Sequence, residues 1–110
     1  MTTTIAVTTS FVGFHCWPDA PPHRAYLAEQ HRHKFGVKVR LSVTEHDREV
    51  EFHDLLDHVN TALPSDDGTN MSCEHHAKRV GEILMLLYPG RKIDVTVDED
   101  GECEATVSLP

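Results

Sequence analysis

Between His31 and Thr44 the chain alternates without a break. His31, His33, Phe35, Val37, Val39, Leu41 and Val43 share one parity, and Arg32, Lys34, Gly36, Lys38, Arg40, Ser42 and Thr44 share the other. Successive side chains on a strand point to opposite faces, so this is a long antiparallel strand with one face buried and one in water. The rest of the chain has to supply its neighbours. Thr3 to Phe14 alternates more weakly, with Ile5, Val7, Phe11 and Gly13 on one side, and reads as a strand. Lys92 to Glu99 places Ile93, Val95 and Val97 on one face. Asp100-Gly101 signals a tight turn, and Cys103, Ala105, Val107 and Leu109 complete a hairpin. Glu45 to Arg48 turns the chain after the long strand, and Glu49 to Phe52 reads as a short returning strand.

Two stretches change period. Phe52, Leu55, Leu56, Val59 and Leu63 follow helical spacing, which predicts an amphipathic helix over His53 to Leu63. Ser72 is suited to cap a second helix, with Glu74 in its first turn. Ala77, Val80, Ile83, Leu84 and Leu87 form the buried face of that helix, which runs to about Tyr88 before Pro89-Gly90 ends it. The run Trp17 to Pro22 contains three prolines and leads into an irregular or short helical piece, His23 to Gln30. Pro64 to Gly68 is a loop by composition. The expected fold class is α+β, an antiparallel four-stranded sheet with two helices packed on one face. At 110 residues with no internal repeat, the chain is expected to be a single domain, residues 1–110.

Charge narrows the function. Ten Lys and Arg against eighteen Asp and Glu leave −8 with histidine neutral, which argues against a nucleic-acid partner. No apolar run reaches the ~18–20 residues of a membrane span, and Met1 to Thr4 lacks the basic start of a signal peptide. Three cysteines without CxxC spacing indicate neither a disulfide framework nor a zinc ribbon, so a reduced, cytoplasmic setting is expected.

Histidine is the outlier, at nine residues. His31 and His33 point to one face of their strand, about 7 Å apart at the backbone. His15 shares the parity of Phe11 and Gly13 and can face the same pocket if the first two strands pair. Three neutral imidazoles plus an open position make the ligand set of a catalytic zinc site. The same spacing also suits ordinary packed, hydrogen-bonded histidines or a histidine-rich surface. In favour of the metal, His31 and His33 continue a buried face, where unpaired imidazoles are costly.

These residues carry a resemblance. Phe14-His15, then an insert, then His31-Arg32-His33 opening a long strand resembles the zinc site of the 6-pyruvoyl-tetrahydropterin synthase / 6-carboxytetrahydropterin synthase family. Val50-Glu51-Phe52 is similar to that family's short strand ending Asp-Phe, Ser72-Cys73-Glu74 to its Thr-Ser-Glu, and Val97-Asp98-Glu99 to its Val-x-Glu-Thr. The resemblance covers most of the chain. It implies the tunnelling fold, in which sheets join edge to edge into a barrel, trimers stack into hexamers and active sites lie between subunits. It implies Zn2+ held by His15, His31 and His33, a small-molecule pterin substrate bound by Glu99 and Glu74, and action on dihydroneopterin triphosphate. The alternative is a catalytically degenerate member that binds zinc and a pterin or purine.

The pattern departs from the family at the base. A cysteine is usual four to six residues before His-x-His, yet Tyr26 to Gln30 contains none, and Glu29 is the nearest substitute. Cys16 neighbours His15, but on a strand it would point to the opposite face. Leu56-Asp57-His58 matches the family's Leu-Asp-His, although it stands too close to Glu51-Phe52 and lies within the helical pattern. The catalytic candidates are therefore Asp57, His58 and Glu29. A triphosphate substrate wants a cationic mouth, for which Arg24, Lys34, Lys38, Arg40, Lys78 and Arg79 are the candidates.

Overall fold

The computed structural model describes residues 1–64, 68–69 and 71–110. Its long strands are β1 (Thr3–His15), β2 (His31–Val43), β4 (Ile93–Glu99) and β5 (Cys103–Leu109), with helices α1 (Phe52–Ala62) and α2 (Cys73–Leu87). A two-residue β3 (Gly68–Thr69) pairs parallel with the end of β1, giving the order β3-β1-β2-β4-β5. The four long strands run antiparallel, and α1 and α2 pack on one face, as the alternation predicts.

Parity decides the core. Phe35, Val37, Val39, Leu41 and Val43 of β2 are buried, as are Ile93, Val95 and Val97 of β4, while Lys34, Lys38 and Arg40 lie on the other face of the sheet. Leu55, Val59 and Ala62 of α1 and Ala77, Val80 and Leu84 of α2 close over the apolar face. Each large aliphatic side chain buried there contributes about 1.5–3 kcal/mol. Gly81 lets α2 sit close to the sheet, because a Cβ there would come within 2.5 Å of Leu109 Cδ1.

The expected returning strand at Glu49 to Phe52 does not form. Arg48 reverses the chain with φ at +56°, and Glu51 then caps α1, accepting from the amides of His53 and Asp54. Local carboxylate capping wins over the weak strand signal. The second cap is as expected, with Ser72 accepting from the His75 amide. The piece between β1 and β2 is a 3-10 segment, Pro22–Ala28. Of the loop expected at 64–68, residues 65–67 fall outside the described residues, and Gly68 belongs to β3.

Candidate metal centre

The register sets the centre. His15 stands opposite His31 across the β1–β2 ladder, and Gly13 stands opposite His33. All three histidines therefore lie on the core face of the sheet, just beyond its last apolar layer. Phe35 closes that layer, with ring centroids 5.4 Å from His15 and 5.7 Å from His33. The His15–His31, His15–His33 and His31–His33 centroids are 4.4, 4.9 and 4.8 Å apart. One ring nitrogen from each histidine lies within 4.8 Å of the other two.

The orientation of the rings follows from their outer nitrogens. His15 Nδ1 is 3.2 Å from the Met71 carbonyl and His31 Nδ1 is 2.8 Å from the Glu29 carbonyl. His33 Nδ1 is 2.7 Å from Asp100 Oδ2. Carbonyl and carboxylate oxygens only accept, so each Nδ1 carries the proton and donates it. In the neutral rings each Nε2 is then a bare lone pair. His31 Nε2 and His33 Nε2 are shielded from solvent and have no hydrogen-bond partner. Leaving such atoms unsatisfied costs about 1–3 kcal/mol each. This is the pattern of a metal-ligating histidine, whose far nitrogen is tied to a carbonyl or carboxylate while the near one is kept free for the ion. The three histidines thus fit a divalent metal.

Electrostatics agree with neutral ligands at His15, whose pKa is lowered chiefly by burial and also by the neighbouring His31 and His33. The Met71 bond and the Glu99 charge oppose that shift. Asp100 is held below its ordinary value, first by the His33 hydrogen bond and then by the Lys34 amide. The Asp100-Gly101 turn makes this contact possible. Both residues have positive φ, +56° and +76°, and Asp100 also accepts from the Lys34 amide through Oδ1 at 2.9 Å. Sequence reasoning found the turn but missed this role. The available signal was the register that brings β4's end beside His33.

The centre opens onto a cleft of about 490 Å³, a usual size for a small-molecule site. Trp17 and Leu27 line it, held together by a 2.7 Å bond from the Trp17 amide to the Leu27 carbonyl. Glu74, Glu99 and Glu104 make its rim acidic. Glu99 Oε1 is 3.4 Å from His15 Nε2 and Glu99 Oε2 is 3.9 Å from His33 Nε2. Cys16, Cys73 and Cys103 also line the cleft. That corrects the expected direction of Cys16. β1 ends at His15, so strand parity no longer governs the next residue. Burial, aided by the charges of Glu99 and Glu74, pushes the Cys73 thiol up to about 12.

Other candidates stand elsewhere in a single protomer. Glu29 is exposed and is absent from the cleft lining, and its contribution is the backbone carbonyl that orients His31. Asp57 and His58 line a different cavity with Glu49 and Tyr88, where His58 Nδ1 is 2.6 Å from the Tyr88 hydroxyl. None of the six proposed cations lines the cleft. Lys34, Lys38 and Arg40 are on the opposite face of the sheet, and Arg24, Lys78 and Arg79 are exposed and do not line it.

The fold has a solved counterpart. The chain is similar to an uncharacterized protein, WS1659, from Wolinella succinogenes, with a TM-score of 0.75 and 17% identity over 100% of this chain and 99% of that one. At that identity the likeness establishes the α+β fold. No family model and no curated protein matches the chain. Among the described residues, no helix is long and apolar enough to cross a membrane.

Proposed function

We propose that the chain is a zinc-dependent pterin synthase-like protein acting on dihydroneopterin triphosphate to form a 6-carboxy- or 6-pyruvoyl-tetrahydropterin. The observation that supports this reading best is the set of bare Nε2 atoms converging beside a small-molecule cleft with Glu99 at its edge. His15, His31 and His33 would hold the zinc through Nε2. Zinc bound there would polarise a side-chain oxygen of the substrate and make the neighbouring C–H more acidic. The chain's own groups do the rest. Glu99 offers two oxygens to the adjacent N–H donors of an aminopyrimidinone ring. Glu74 stands near it on the rim, and Trp17 and Leu27 give the ring an apolar wall. The proton acceptor would be His58 beside Asp57, brought from a second copy in an edge-to-edge assembly, with its ring fixed by the Tyr88 hydroxyl.

A second reading has its own observation. The rim is acidic and free of the six candidate cations, which disfavours a triphosphate in one protomer. A zinc protein that binds an unphosphorylated pterin or purine without turnover fits that rim. One pair of assays separates the readings. The zinc-loaded protein is incubated with dihydroneopterin triphosphate and the products are resolved by fluorescence, while binding of an unphosphorylated pterin is measured by calorimetry. Turnover that disappears in His33→Ala supports the synthase. Pterin binding without turnover selects the second reading. Neither turnover nor binding overturns both.

A further inference from the structure

We infer that Trp17 is a ligand-binding residue whose indole stacks on the flat face of a heterocycle in the cleft, and that the connection between β1 and β2 is built to hold it there. This deepens the heterocycle reading above and rests on it, but does not depend on the metal.

Trp17 is the chain's single tryptophan, and it lines the cleft with 48% of its surface exposed. The rings of the core are partnered. Phe11 stacks on Phe35 with centroids 5.0 Å apart, and His76 meets both. Nearer the surface, Tyr88 meets His58 at 5.5 Å. Among the described residues, Trp17 has no such ring neighbour and its indole N–H has no acceptor. Aromatic rings gain from an offset or edge-on partner at about 4.5–7 Å, and an indole N–H needs an acceptor once it is buried. Both are left for a ligand to supply. Exposure alone carries no such meaning, because Tyr26 on the same connection is more exposed and stands outside the cleft lining.

The backbone under the indole is fixed. The Trp17 amide donates to the Leu27 carbonyl at 2.7 Å, and the Trp17 carbonyl accepts from the Ala20 amide at 3.0 Å. Both main-chain polar groups of Trp17 are therefore used within the connection. Pro18, Pro21 and Pro22 restrict φ at neighbouring positions, and the Pro21 carbonyl accepts from the Arg24 amide at 2.8 Å. His15 ends β1 opposite His31, which opens β2, so the sheet ties the connection at both ends. A side chain carried on so constrained a backbone loses little further freedom when a ligand arrives, which favours binding. Pro18 and Leu27 extend the apolar wall beside it.

The rest of the lining indicates the chemistry of the ligand. Glu74, Glu99 and Glu104 supply carboxylate acceptors, and among the described residues no Lys or Arg lines the cleft. An aromatic face together with carboxylate acceptors suits a flat ring with N–H donors along its edge. A saturated ligand of the same size would gain no stacking, and an anionic group would meet like charge at the rim. A charged tail on such a ring would therefore point away from this rim.

The test uses the full chain with one equivalent of zinc and guanosine as the probe, because guanosine carries a flat ring with adjacent N–H donors and no phosphate. The emission of the single tryptophan reports the cleft alone and should be quenched saturably. Loss of a base–aromatic stack weakens binding by about tenfold or more. By calorimetry, Trp17→Ala should therefore bind guanosine about tenfold more weakly, Trp17→Phe should recover most of that loss, and Tyr26→Ala should bind as wild type. Trp17→Leu, which keeps apolar bulk without a ring, gives the same loss should the alanine variant fold poorly. Unchanged affinity in the alanine and leucine variants, or binding that leaves the emission untouched, overturns the inference and leaves the cleft standing as a heterocycle site. An equal loss in Tyr26→Ala, or no recovery in Trp17→Phe, also overturns it. So does a wild type that does not bind guanosine, while the pterin calorimetry described above decides the heterocycle reading separately.

Discussion

At the Val43 end of the β1–β2 ladder, the Glu49 carboxylate accepts from the Thr44 amide, the Thr44 hydroxyl at 2.7 Å and the Glu45 amide at 3.0 Å, and pairs with Arg91. Arg91 in turn donates to the Ser42 carbonyl. At the His15 end, about 40 Å away along thirteen-residue strands, three imidazoles spend their Nδ1 protons outward and leave His31 Nε2 and His33 Nε2 shielded and without partners. One end is a finished polar network whose groups answer one another. The other orients three rings so that their free nitrogens converge within 4.8 Å of one another. Folding alone rewards the first arrangement, whereas the second costs about 1–3 kcal/mol for each unpaired atom unless a cation accepts its lone pair.

Breaking the histidine end should have the largest effect. His31→Ala or His33→Ala should abolish stoichiometric zinc, from about one per chain to none by elemental analysis, since a three-histidine site loses its geometry with any one ligand. Circular dichroism should stay native, because the core lies behind Phe35. Retained zinc would mean the ion sits elsewhere. Next in size is a contrast within the cleft itself. With its thiol pushed up to about 12, Cys73 should present about a thousandfold less thiolate at pH 8 than an ordinary thiol and resist iodoacetamide, while exposed Cys103 is alkylated. Peptide mass spectrometry reads the ratio, and equal labelling would contradict the buried setting of Cys73.

A smaller effect is expected behind the ligands. Asp100→Asn keeps a side chain suited to the turn but weakens the acceptor for His33 Nδ1, and should lower zinc affinity about 10–100-fold in a chelator competition. Unchanged affinity would show that His33 needs no orienting partner. The smallest change in metal binding is expected at the far end. Glu49→Gln should lower the melting temperature and leave zinc content unaltered. The sign with pH is fixed by the hydrogen bonds from Thr44 and the contact with Arg91, which hold Glu49 at about 2 against an ordinary 4.5. Its contribution is fully present above pH 4.5 and is lost as pH falls through about 2. The difference in melting temperature between wild type and variant should therefore shrink over that window, and a constant difference would contradict the network.

The sheet was legible because parity is a property of side chains. Thirteen alternating residues place Phe35 to Val43 inward and put His31 and His33 on the same face, and His15 follows once β1 pairs with β2. What stayed hidden depends on atoms that every residue has. The carbonyls of Glu29 and Met71 orient two of the three rings, and no side-chain identity announces a carbonyl. Glu29 itself drew attention for its carboxylate, yet it acts through its backbone. Asp100 was visible only as a turn former, because its second role needs the register between β2 and β4. The misread strand at Glu49 to Phe52 has the same root, since both glutamates there are consumed by local amides and Arg91. The basic residues of β2 have the opposite parity to His31 and His33, so the alternation that turns the histidines inward turns these cations away from the cleft.

The most direct test of the histidine end is nitrogen NMR of the histidine rings in uniformly 15N-labelled protein, before and after one equivalent of zinc. Three rings should stay protonated at Nδ1 throughout, with the His15, His31 and His33 Nε2 resonances shifting together and saturating at about one equivalent. Rings that ignore zinc, or that bind it through Nδ1, would contradict a metal centre built on the three Nε2 atoms.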